Sequence, residues 1–123
     1  MKAKDFNGVV ENRVKESTAL LLPKGEEYSR DGDRLHNFKR AAAVQGCSPE
    51  KALIGMYVKH LVSVLDMVDD LDKGKLPCGK VLAEKMNDSH NYHYLLEGLI
   101  CERAADENGR YAECECGQDY RGG

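Results

Sequence analysis

Between residues 53 and 71, Leu53, Met56, Tyr57, His60, Leu61, Val64, Met67, Val68 and Leu71 recur at intervals of one, three and four. Such spacing gathers them on one broad side of a helix and would scatter them over both faces of a strand. The start of the helix is equally marked. Ser48, Pro49 and Glu50 supply an N-cap, a proline at the first helical position and an acid in the first turn. Lys73 and Gly74 end the pattern. A helix this long, with so wide an apolar stripe, has to lay that side on other elements, which commits the chain to helical packing.

The rest of the sequence supplies the partners. A first helix is expected over 4–22, with Val10, Val14, Thr18 and Leu21 or Leu22 inward, stopped by Pro23 and Gly25. The acidic, glycine-punctuated stretch 24–33 reads as a loop, and Asp33 as the cap of a short second helix that reaches the three alanines 41–43 and stops at Gly46. A last helix is expected soon after Pro77, through Leu82, Leu95, Leu96, Leu99 and Ile100, to about residue 105. Beyond it, 107–123 has no helical period and is rich in glycine and charge, as in a flexible tail or a segment ordered by a partner. The expected fold is therefore all-α, a compact bundle of about four helices in one domain over 1–106 followed by an irregular tail over 107–123. Each helix has a single wide apolar side, so a homo-oligomer, a dimer or higher, is expected to complete the core.

Composition narrows the partners. With 123 residues there is room for one modest core. A net charge of -3 with both signs interspersed gives no electrostatic footprint for nucleic acid, which is an unsupported partner. No apolar run approaches the roughly 18 residues of a membrane span, and the opening MKAKDFNG lacks the apolar segment of a secretory signal, so no membrane association and a cytoplasmic location are expected. The five cysteines are an odd set without an extracellular address, which favours reduced thiols. Cys114 and Cys116 alone make a poor zinc site.

Chemistry is expected where the last helix interrupts its own stripe. Glu84, Asp88 and Asn91 continue the face taken further on by Leu95 and Leu99. Carboxylates carried into a core need a cation, a metal or a polar ligand opposite. The alternative is that Glu84 and Asp88, near the helix start, favour the macrodipole and stay solvated. Counterparts are expected on the loop before the second helix and on the flank of the third, where Lys59, Ser63, Asp66 and Asp70 share a side. Two carboxylates suit Mg²⁺, a hard cation that keeps waters and shares its sphere with phosphates. Lys59, Lys24, Lys39 and Arg34 are cations available to phosphates. Tyr28 and Phe38 can stack on a base, though Phe38 equally suits the core. His60 is either a hydrogen-bonded core histidine or, beside the acidic cluster, a proton shuttle. His90 and His93 have the wrong interval for a zincin, and neither a glycine-rich phosphate loop nor a nucleophile elbow occurs.

Three blocks carry a family resemblance: KGEEYSRDGDRLHNFKRAA at 24–42, GMYVKHLVSVLDMV at 55–68 and EKMNDSHNYHYLLEGL at 84–99. In this order they resemble small phage and bacterial proteins of the nucleotide-modification-associated domain type, which are similar to the MazG-like all-α nucleoside triphosphate pyrophosphatases. Its most specific parts are Asn37-Phe38-Lys39, the Lys59 block and Asp88-x-x-Asn91-Tyr92. The resemblance implies an oligomer that binds a nucleotide near a carboxylate-held Mg²⁺ and hydrolyses a triphosphate to monophosphate and pyrophosphate. It implies Glu84 and Asp88 as metal ligands and catalytic groups with His60, and Glu27 or Asp33 as a further acidic ligand. Asn91 and Tyr92 would orient them, Lys24, Lys39, Lys59 and Ser63 would meet phosphates, and Asn37, Phe38 or Tyr28 would touch the base.

The sequence also departs from that pattern. The group carries E-x-x-E on one helix and E-x-x-D on a later one, whereas here the first helix has Glu11 and Glu16, and Glu84 and Asp88 are four apart. A chain that keeps the pocket and loses part of the metal cage binds without turnover, as would a phage protein that sequesters a nucleotide signal in the host cytoplasm. The third reading is a structural helical oligomer whose polar stripe is a subunit seam.

Overall fold

The computed structural model describes residues 1–24 and 30–108, the side chains of 106–108 excepted. Glu27, Tyr28 and the tail from residue 109, with Cys114 and Cys116, lie outside the described residues. The described chain is helical: α1 (Ala3–Leu21), α2 (His36–Gln45), α3 (Pro49–Asp72) and α4 (Gly79–Asn108). Among the described residues no helix is long and apolar enough to cross a membrane.

Local chemistry sets the ends. The Ser48 side chain accepts the Lys51 N–H at 3.2 Å, with Pro49 opening α3. At its far end Gly74 adopts φ 80°, which lets the Gly74 and Lys75 N–H groups reach back to the Leu71 and Asp70 carbonyls, each at 2.9 Å. Gly46 closes α2 in the same way, at φ 69°.

The start of α2 differs from expectation. Asp33 does not cap a helix that begins at once. Arg30 and Asp33 exchange backbone hydrogen bonds across Asp31 and Gly32, both at positive φ, which is the tight turn an Asp-Gly pair favours. The Asp33 carboxylate then accepts the Leu35 N–H at 2.9 Å, and the helix starts at His36.

α4 is the organising helix, packing against both α1 and α3, while α3 also packs against α2. Glu50 meets Arg103, and His60 meets Asp88, so the start of α3 lies against the end of α4 and the two run antiparallel. The one core cluster is shared by three helices: Phe38 of α2, Leu53 of α3 and Leu99 of α4, with Leu35, Met56, Tyr92, Leu95 and Leu96 against it.

α1 sits outside this cluster, which corrects the expected inward set. Val10 and Val14 are nearly half exposed, and the buried residue of α1 is Ser17. The reason is that, among the described residues, α4 is the one helix that α1 packs against. It is held there by Arg13, which donates to the buried Asn87 Oδ1 at 2.9 Å.

Candidate functional site

A cleft of about 310 Å³ opens where the end of α1, the start of α2 and the middle of α4 converge. Its apolar walls come from Leu20, Phe38, Met56 and Leu95, and its polar groups from Asn37, Asp88, Asn91 and Tyr92, with Lys24 and Arg34 at the loop side. Asp88, Asn91, Tyr92 and Leu95 are brought to it by the three- and four-residue spacing along α4.

Asn91 carries the clearest chemical signal. Its Oδ1 is shielded from solvent and has no hydrogen-bond partner among the described residues. A buried acceptor left unmatched costs about 1–3 kcal/mol, a cost that a donor from outside the described residues would offset.

Tyr92 is held from the other side by α3. Its ring lies 5.5 Å from that of Tyr57 and 5.0 Å from that of His60, both tilted. His93 meets the edge of Tyr57 at 5.4 Å and lies 3.3 Å from its hydroxyl. Burial, then the neighbouring Asp88 charge, push the Tyr92 phenol above its ordinary pKa, so it stays a hydrogen-bond donor. At the rim, His60, which does not itself line the cleft, places its Nδ1 3.3 Å from Oδ2 of Asp88, which does.

Other expected site residues lie elsewhere. Glu84 is exposed, one turn before Asp88, and does not line the cleft. Lys59 is exposed on α3. Ser63 accepts from the Lys85 ammonium, in a second depression that includes Asp66 and Asp70. Lys39 donates to Asp33 at 2.7 Å and to Glu102 at 2.8 Å, tying the turn before α2 to α4. This contact holds the Asp33 carboxyl below its usual range and raises the Lys39 ammonium. Phe38 is both core and cleft wall.

Among the described residues no three His, Cys, Asp or Glu side chains converge as a metal cage. With Asp33 engaged by Lys39 and Glu84 outside the cleft, the described residues do not fit a resident Mg²⁺.

The sequence points to Tyr92 but not to Tyr57 or His93 as part of the site, because Tyr57 falls on the apolar stripe and reads as core. The available signal was Tyr57 three residues before His60, matched by the adjacent Tyr92 and His93 on the facing helix. No family model, curated protein or solved structure matches the chain. The resemblance to MazG-like proteins accordingly rests on the three sequence blocks.

Proposed function

We propose that this chain is a nucleotide-binding protein whose ligand enters the cleft between α1, α2 and α4, and that it works as a homo-oligomer. The observation that carries the reading is the shielded Asn91 Oδ1, which has no hydrogen-bond partner among the described residues, in a wall that also presents Phe38 and Tyr92. A nucleobase combines an apolar face with exocyclic donors, which is the chemistry such a wall receives. Lys24 and Arg34 at the loop side give phosphates a cationic border. The extensive apolar surface left on α1 and α3 supports the oligomer.

A second reading, hydrolysis of the bound triphosphate to monophosphate and pyrophosphate, is favoured by the His60–Asp88 pair at the rim. Here Asp88 orients the imidazole and His60 takes a proton from water. The two readings separate on turnover. Purified protein is incubated with a panel of ribo- and deoxyribonucleoside triphosphates, with and without Mg²⁺, and binding and pyrophosphate release are followed. Binding that Asn91→Leu weakens, with the nucleotide recovered intact, supports capture. Pyrophosphate release abolished by Asp88→Asn supports the enzyme. Absence of binding across the panel refutes both and leaves the structural oligomer.

A further inference from the structure

α3 carries two apolar sides, which corrects the single stripe read from the sequence: Leu61 and Val68 do not share the buried side of Leu53 and Met67. Leu53, Met56, His60 and Met67 turn toward α2 and α4, while Ile54, Val58, Leu61, Leu65 and Val68 lie on the outer side and are 40–55 % exposed. The outer set repeats at four, three, four and three residues over about 21 Å of helix. This is the 3.5-residue repeat by which one helix seats its side chains between those of another. A helix apolar over so much of its circumference is one that is covered on both sides.

Charge identifies the covering partner. The exposed charges within the N-terminal half of α3 outside the Glu50–Arg103 pair are Lys51 and Lys59, whereas Asp66, Asp69 and Asp72 occupy the C-terminal half, with Lys73 just beyond the helix. A second α3 laid antiparallel brings each basic end against an acidic end. A parallel one would oppose like charges and align the helix dipoles unfavourably. A seam that complements itself on reversal is what a two-fold interface requires.

We infer that a second copy of this chain docks on the outer face of α3, the two α3 helices antiparallel, with the two-fold axis near Leu61. Within that arrangement Lys51 lies within a turn of Asp69 or Asp72 of the second copy. The inference rests on the proposal that the chain is an oligomer and adds the face and its direction.

Sedimentation velocity on the full chain tests it, with far-ultraviolet circular dichroism as the check that each variant keeps its helices. The wild type is expected to be an even-numbered oligomer, and Leu61→Asp to halve its mass while leaving the helical spectrum unchanged. Lys51→Glu and Asp72→Lys should each weaken that association about tenfold at low salt, and the double variant should recover it. A monomeric wild type would overturn the oligomer itself. An oligomer that Leu61→Asp leaves intact would overturn only this face, and a double variant no tighter than the singles would overturn the antiparallel direction.

Discussion

Replacing Asn91 with leucine should move stability and binding in opposite directions. The Oδ1 of Asn91 is shielded from solvent without a partner among the described residues, and such an acceptor costs the fold about 1–3 kcal/mol. Leucine keeps the branched outline, with bulkier methyl groups, and removes the unmatched polar atom. The neighbours that line the cleft, Met56 and Leu95 among them, receive it without a cavity. Because part of the side chain faces the cleft mouth, the expected gain is the lower end of that range, about 1 kcal/mol. For 123 residues this corresponds to a rise in Tm of about 4 °C. The ligand loses an acceptor at the same time, and a hydrogen bond removed from a buried site weakens binding by about 0.5–1.5 kcal/mol, roughly twofold to thirteenfold. Thermal melts of the ligand-free protein, with calorimetric titration of the nucleotide that binds, measure both. A variant that melts several degrees lower would show that Asn91 serves the fold, and unchanged affinity would remove it from the site.

Three further outcomes follow from the same contacts. Lys39→Met removes the pairs to Asp33 and Glu102, and because all three groups are partly exposed the loss should be about 1 kcal/mol, read as a lower urea midpoint. The Asp33 carboxyl is depressed by Lys39 in the folded chain, so its contribution is fully present above the ordinary value of about 4 and disappears as pH falls through the lower folded value. Acid titration of urea midpoints should therefore show a shallower fall below about pH 4 in Lys39→Met, and parallel curves would refute the coupling. Tyr92 is raised chiefly by burial and secondarily by Asp88, so in alkaline absorbance titration Asp88→Asn should lower its ionisation only part of the way to the ordinary value. Ser48→Ala deletes the acceptor of the Lys51 N–H and should destabilise by about 1 kcal/mol in the same urea assay, whereas Ser48→Asp should not.

The helices were legible because their signals are local. The cap at Ser48, the glycines at 46 and 74 and the three-four spacing of Leu53 and Met56 each act within a turn of chain. The inward face of α1 was misassigned because burial depends on neighbours. Val10 and Val14 have the right period, but among the described residues α1 packs against α4 alone, and it is held there by the part-buried polar contact between Arg13 and Asn87. The polar stripe of α4 was half legible for the same reason. Its spacing brings Asp88, Asn91 and Tyr92 to one cleft, yet Glu84 falls outside. Lys39 shows the limit most plainly: its charge pointed to a phosphate, and only the fold reveals that Glu102, 63 residues away, is one of its partners.

Native mass spectrometry of the purified protein, with chromatography of the supernatant after heat denaturation, tests nucleotide binding at the Asn91 cleft most directly. The account predicts an intact nucleotide, either carried through purification or acquired on incubation with the triphosphate panel, at reduced occupancy in Asn91→Leu and absent in Tyr92→Ala that remains helical. A wild-type protein that stays empty after incubation at millimolar concentrations, or one whose nucleotide both variants retain in full, would contradict it.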